Sequence, residues 1–416
     1  MNTFSQLFLL FLVLSVAAEL WLARRQIVHV RTHREAVPDA FRDRIDLAAH
    51  QKAADYTIAR NRLAMVSTLY GALVLLGWTL GGGLQALDHV WGLTGLGPLL
   101  HGTFMLLSLF VIAALLDIPF DLYSTFGIEQ RYGFNKATPR IYVSDLLKNA
   151  ILLVVVGGPL LYAVLWFMDH SRGRWWLYTW LLWSAFNLIA VWAYPTLIAP
   201  LFNRFTPLEE GSIRQRIQAL LERTGFRSRG IFVMDGSRRS AHGNAYFTGL
   251  GRSKRVVFFD TLLKSLSEPE VEAVLAHELG HFRLHHITKR IALSFALSFA
   301  GLALLGWLGQ QAWFYTGLGI TTAPVHINHI GLALFILVMP VFLFFFSPLM
   351  AWGSRKHEFE ADDFARRHAS ATDLVSALVK LYSENAKTLT PDPLHSIFYD
   401  SHPPAPVRIA HLQHPS

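Results

Sequence analysis

Polar and apolar residues in this chain separate into long blocks. Seven apolar blocks reach the ~20 residues that a membrane-spanning helix needs, at about 4–23, 63–81, 97–117, 149–168, 176–196, 291–309 and 329–350. The third and seventh are the most apolar, and the second weakens where it meets Gly81, Gly82 and Gly83. The first block has the outline of a signal peptide, with SVAA as a small-residue cleavage site. However, MNTFSQ carries no Lys or Arg, and Arg24-Arg25 follow the block instead. A retained span with its N-terminus outside is therefore expected.

The polar blocks between the spans carry the orientation. Residues 24–62 hold nine Lys or Arg, whereas 82–96 and 310–328 hold none. Residues 118–148 carry Arg131, Lys136, Arg140 and Lys148, and the short 169–175 connection carries only Arg172 and Arg174. Rich and poor loops alternate as seven crossings require. The positive-inside rule then puts 24–62, 118–148, 197–290 and the C-terminal tail in the cytoplasm.

The longest polar insertion, 197–290, changes period along its length. SIRQRIQALLERTG has a helical pattern, while IFVMD, AYFTGLG and RVVFFD read as strands, with the polar turn GSRRSAHG after the first of them. A helix follows, opened by Ser267 and Glu270 at capping-box spacing with Pro269 in its first turn. After 350, RKHEFEADDFARRHA and ATDLVSALVKLYSENA predict two helices, and SHPPAPVRIAHL a loop.

Composition supports the lipid reading. Of 416 residues, 52% are hydrophobic and only 16% charged, against about 25% charged in soluble chains. The chain has no cysteine, so disulfides, thiol nucleophiles and cysteine–zinc sites are excluded. The net charge of +8 sits largely in the inter-span loops, which argues for membrane topology and against nucleic-acid binding.

Candidate chemistry concentrates in AVLAHELGHFRLHHITKR. His277-Glu278-Leu279-Gly280-His281 fits H-E-x-x-H. On a helix, His277 and His281 share a face about 6 Å apart along the axis, so both imidazoles can reach one zinc ion. Glu278 can then take a proton from the water used in hydrolysis. His285 lies about 12 Å from His277 along a continuous helix, too far for one ion to join both. His286 is rotated about 180° from His277 and is expected to face away. Leu284 and Ile287 occupy the glycine and histidine positions of the metzincin extension, so the third ligand must come from elsewhere. Glu358 and Asp362 in SRKHEFEADDFA are four apart and share a helix face. One can bind the metal while the other accepts the far N–H of a ligand histidine. Spacing does not say which does which, and Glu360 or His357 compete. Arg408 has the charge to pair with a carboxylate near the site, though a surface position serves equally well.

Taken together, HELGH, SRKHEFEAD and SHPP resemble the membrane gluzincins that include the type I CAAX prenyl endopeptidases. IEQRYGFNKATP at 128–139, YPTLIAPLFNRFTPL at 194–208 and SRRSAHGNAYFTGLG at 237–251 extend the likeness. The resemblance implies Glu358 as third zinc ligand and Asp362 as partner of a ligand histidine, His277. It implies Asn244 as a holder of the substrate backbone and His402 as a stabiliser of the oxyanion. It also implies seven helices around a large water-filled chamber capped by the zinc domain.

The expected fold is thus a mainly α integral membrane protein with a zincin-like α+β catalytic part. Residues 1–196 would hold five spans, 197–290 the catalytic region, 291–350 two further spans, and 351–416 the remaining ligand and the SHPP loop. The expected activity is zinc-dependent endopeptidase action of CAAX type, with one Zn2+ per monomer, on a prenylated or membrane-associated peptide or protein substrate. A heat-shock-type quality-control protease and a non-enzymatic prenyl-peptide or lipid binder are the alternatives. A bacterial inner membrane is the expected location, with the endoplasmic reticulum as the alternative, and the active site cytoplasmic.

Overall fold

Every apolar block becomes helix, and most of the helices overshoot their blocks. The computed structural model describes all residues except 227, 229, 249–254, 322–326 and 414–416. Its first half is α1 Thr3–Thr32, α2 Leu47–Trp78, α3 Gly83–Gly92, α4 Pro98–Leu122, α5 Pro139–Leu152, α6 Gly158–His170, α7 Trp175–Ala193 and α8 Ala199–Phe202. Most of the polar 24–62 stretch, treated above as a loop, is therefore a helical extension of two spans. Among the described residues, six helices are long and apolar enough to cross a membrane. A seventh crossing is reached by counting α2 and α3, bent by 50°, as one broken span. The break falls at the glycines that weaken the second block, where Gly82 takes φ 76.

Wide π-helical turns extend α4 over Tyr123–Glu129, join α5 to α6 over Leu153–Gly157, and extend α7 over Tyr194–Ile198. Pro119, Pro159 and Pro195 lie within or near these turns. Proline removes an i→i−4 hydrogen bond and crowds the preceding turn, and a π-bulge is one way a helix absorbs that.

The polar insertion folds as β1 Phe205–Pro207, α9 Ser212–Arg223, β2 Ile231–Met234, β3 Ala245–Thr248, β4 Arg255–Phe259, α10 Asp260–Ser265 and α11 Glu268–Arg283. The sheet order is β1-β2-β4-β3, with β2 and β4 parallel and the outer pairs antiparallel. Three strands match the expected ones. β1 is an addition, a three-residue edge strand ending in proline. Residues 249–251 of the predicted strand AYFTGLG lie outside the described residues.

The chain continues as α12 His286–Leu308, α13 Ala312–Gly317, α14 Asn328–Leu343, α15 Ser347–His368, α16 Ala371–Glu384, α17 Pro393–Tyr399 and α18 Ala405–Gln413. A single turn at 344–346 joins α14 to α15, giving one helical run of 41 residues from the last span into SRKHEFEAD. The predicted loop SHPPAPVRIAHL is corrected: its second half is α18, which buries Ile409 and Leu412 in the core around the sheet. That core joins Val256 and Phe258 of β4, Leu275 and Leu279 of α11, and Leu374 of α16.

Contacts at the two ends of the bundle support the seven-crossing topology. At one end, Arg25 of α1 pairs with Asp392, Tyr56 of α2 donates to Glu129, and Arg239 pairs with Asp145. All four basic segments therefore meet there. At the other end, Asn2 donates to the carbonyl of Trp313, and Asp88 accepts from His101 and His329. An even number of crossings between residue 24 and the tail is required for this, and six spans in all would not provide it.

The start of α11 matches its expected cap. Ser267 N–H donates to Glu270 at 2.7 Å, and Glu270 also accepts from Ser376 and Lys380, each at 2.7 Å. Burial of Glu270 favours the neutral acid, but Lys380, Ser376 and Ser267 outweigh it and hold its pKa at about 2. An unfolded Glu titrates near ~4.3. The depressed folded value means that this stabilisation is full above the unfolded pKa and fades as pH falls towards 2. Glu270→Gln is expected to lower stability by about 1–2 kcal/mol at pH 7. The gap to wild type should narrow between pH 4.5 and about 2, read as Tm against pH in detergent.

Candidate metal centre

Two helices from distant parts of the sequence supply the site. α11 carries His277 and His281, and α15 carries Glu358 and Asp362. The helices can approach because Gly280 lacks a side chain: a Cβ there would lie 2.9 Å from Ala361 Cα and 3.0 Å from Phe364 Cβ.

The donor atoms converge across this contact. His277 Nε2 and His281 Nε2 are 3.2 Å apart, and each lies 3.3–3.4 Å from an oxygen of Glu358. All three side chains offer ligand atoms within 4.8 Å of one another. Glu358 is 3% exposed, and its Oε2 lacks a hydrogen-bond partner. His402 Nδ1 comes within 2.7 Å of that oxygen, but not in hydrogen-bonding alignment. A buried carboxylate oxygen left without a hydrogen bond is costly. A divalent cation among these donors would complete it, so the residues fit a metal of the His/carboxylate class.

Both rings are held from behind. His277 Nδ1 lies 2.8 Å from Asp362 Oδ1. A carboxylate only accepts, so Nδ1 carries a proton, and Nε2 is the nitrogen turned towards the cluster. Asp362, fully buried, is gripped by Arg408 through Nε at 2.9 Å and Nη2 at 2.5 Å. Burial opposes charge on His277, yet the carboxylates of Asp362 and Glu358 outweigh it and push its pKa to about 9. The cluster therefore favours positive charge in its midst. Glu278 lines the cleft beside His277 and His402. Burial pushes its pKa up, against the pull of His277 and His281.

His281 has a different support, and here one expectation is corrected. His286 does not face away. α11 stops at Arg283, and His285 takes the left-handed φ of 60, so α12 restarts in a new direction at His286. The His286 ring then sits with Nδ1 3.1 Å from His281 Nδ1 and Nε2 2.8 Å from Glu360 Oε2. If His281 Nδ1 holds its proton, His286 accepts it and donates onward to Glu360. His357, weighed above as a competing ligand, stacks on His286 at 4.1 Å. His285 is exposed and takes no part.

The remaining predicted residues line the approach. Asn244 directly precedes β3, and its carbonyl accepts from Phe259 N–H at 2.9 Å. Asn244 and His402 both border the cleft and a cavity of about 910 Å³. Gln26, Tyr56 and Arg60 from α1 and α2 form part of the cavity's far wall. Sequence reasoning missed His286 because it continued one helix through a bend that no glycine announces. It left Arg408 open because a single basic residue carries no spacing signal.

Comparison with known proteins agrees with this arrangement. Residues 26–204 match a family described as CAAX prenyl protease N-terminal, five membrane helices, and residues 207–416 match Peptidase family M48. The chain is 38% identical to the CAAX prenyl protease 1 homolog of Arabidopsis thaliana, over 76% of this chain and 74% of that one. It is 32% identical to CAAX prenyl protease 1 of Saccharomyces cerevisiae, over 91% and 89% respectively. A crystal structure of S. mikatae Ste24p superposes with TM-score 0.92 at 30% identity, covering 100% of both chains.

Two substitutions probe the geometry. Gly280→Ala is expected to push the two helices apart, costing about 1–3 kcal/mol by overpacking and lowering metal content in the purified protein. Arg408→Met would leave the buried Asp362 with His277 alone as its partner, with an expected loss of about 3–5 kcal/mol in thermal or denaturant unfolding.

Proposed function

The chain belongs to peptidase family M48, as a multi-pass membrane metalloendopeptidase of the CAAX prenyl protease type, and from that premise we propose that it is zinc-dependent and trims C-terminal peptides of prenylated or membrane-associated proteins. The observation that carries the zinc assignment is the convergence of two imidazole nitrogens on a buried carboxylate whose Oε2 has no hydrogen bond. With no cysteine in the chain, a His/carboxylate donor set is the zinc-compatible choice available.

In this reading His277, His281 and Glu358 are the ligands, and Asp362 and Arg408 fix the tautomer of His277. When bound, zinc polarises the scissile carbonyl and makes water nucleophilic near neutral pH. Glu278 accepts the proton of the attacking water at its carboxylate and passes it to the leaving amine nitrogen. Its raised pKa suits both halves of that task. His402, exposed on one side to the cavity, donates to the oxygen on which negative charge grows, an interaction worth about 3–4 kcal/mol in comparable sites. Asn244 holds the substrate backbone along β3.

The basic end of the bundle, which carries the site, is assigned to the cytoplasmic face by the positive-inside rule. The proposed location is a bacterial inner membrane, with an endoplasmic reticulum membrane as the alternative, and the proposed assembly is a monomer.

Glu278→Gln is expected to keep about one zinc per chain while losing cleavage by a factor of at least ~100, the scale of a positioned general base. Metal analysis alongside hydrolysis of a prenylated C-a-a-X peptide checks both halves. Wild-type protein purified without zinc, or a Gln variant that still cleaves, would overturn the reading.

A further inference from the structure

The turn after α16 presents a cation that makes no direct ion pair among the described residues. Lys387 borders both the 910 Å³ cavity and the smaller cleft, about 160 Å³, that holds His277 and Glu278. Among the described residues no carboxylate lies within 4.0 Å of its Nζ. Its near neighbour is the face of Tyr382, 5.6 Å away. Burial lowers the Lys387 pKa and Arg408 adds to this, outweighing the more distant carboxylates of Asp400 and Glu358.

The backbone is built to hold that side chain there. Lys387 N–H donates to Tyr382 O and Ala386 N–H to Ser383 O, closing the end of α16. Ala386 takes φ 43, a left-handed conformation usually given to glycine at this place in a helix terminus. A non-glycine residue there costs about 1 kcal/mol or more. Its methyl group offsets some of this by packing, 2% exposed, with Tyr56, Ile128 and Phe134 from the spans and their connecting segment. Asn385, one residue earlier, accepts from His242 and from Gly243 N–H. The turn is thus pinned on both sides, and Lys387 projects into the space between them.

We propose that Lys387 binds the free C-terminal carboxylate of the peptide substrate and so sets the distance between chain end and cleaved bond. This rests on the peptidase reading above. An extended peptide spans ~3.3–3.6 Å per residue. Since one small cleft is bordered by both Glu278 and Lys387, a carboxylate held at Lys387 lies only a few residues from the bond at Glu278. A carboxylate held there favours bonds a few residues from a free C-terminus. A carboxylate ligand also gives this cation the direct ion pair that it lacks among the described residues.

The test measures binding, in Glu278→Gln protein, of a prenylated C-a-a-X peptide as its free acid and as its C-terminal amide. The free acid should bind tighter by about tenfold or more, the scale of a hydrogen bond to a charged group. Adding Lys387→Met should bring the acid-to-amide ratio close to one, whereas Lys387→Arg should keep most of it. A ratio near one in the Glu278→Gln protein itself would overturn the proposal without recourse to any lysine variant. So would a Lys387→Met protein that weakens both peptides equally, which would mark a structural role. Cleavage of the same free acid by wild-type protein is followed separately. Absent cleavage would count against the peptidase reading, whereas the binding ratio alone decides the role of Lys387.

Discussion

The close crossing of α11 over α15 at Gly280 and Ala361 is the constraint from which the rest of the site follows. Imidazole and carboxylate side chains are short, and zinc–ligand bonds are only about 2.0–2.2 Å. Donors on two separate helices meet only if the helix axes come closer than ordinary side chains permit. The glycine removes the side chain at the crossing point, one residue before His281 and three after His277. Ala361, fully buried, takes the facing position between Glu358 and Asp362. Both helices also lead into the membrane. α15 continues from the last span without a break in helical structure, and α11 passes into α12 through the turn at His285. Packing between spans therefore bears on the separation of the metal donors.

Orientation is a separate problem from distance. His277 is held by a buried carboxylate with its own bidentate arginine, and His281 by a histidine leaning on a partly exposed glutamate. The first arrangement is rigid and electrostatically strong, because Asp362 and Arg408 are both almost without water. A buried pair of this kind gains little net stability over an apolar pair. Its value is that it fixes which nitrogen of His277 carries the proton. It also ties the C-terminal helix α18, which carries Arg408, to the metal site.

How much of this was legible in the sequence depends on the range of each signal. Spans, the H-E-x-x-H helix and the capping box at Ser267 are local patterns; the helix and its cap appear as expected, and so do six of the seven spans, the second being a bent pair of helices. The spacing of Glu358 and Asp362 put two carboxylates on one face, but their division of labour came from family resemblance. The structure is consistent with it, through the 2.8 Å contact of Asp362 with His277 Nδ1. Three features were hidden for physical reasons. His286 depends on a left-handed residue at His285, and no glycine marks the bend. β1 is three residues long and gains its identity only by pairing with β2. Arg408 lies on a helix masked by the prolines before it, and its partner is 46 residues away.

The overshoot of the first two spans deserves a physical reading, because hydropathy alone treats it as connecting loop. Gln26 and Arg25 lie beyond the apolar part of α1, and Tyr56, Arg60 and Asn61 lie before the apolar part of α2. Helix continuing past the apolar core keeps the backbone hydrogen-bonded where side chains turn polar. The side chains can then line a wet cavity without exposing unpaired amides. Gln26 and Arg25 clasp Asp392, and Tyr56 reaches Glu129, which lies within 3.5 Å of His242 beside β3. The cavity wall and the sheet beside the site are thus joined by polar contacts beyond the apolar stretches of α1 and α2.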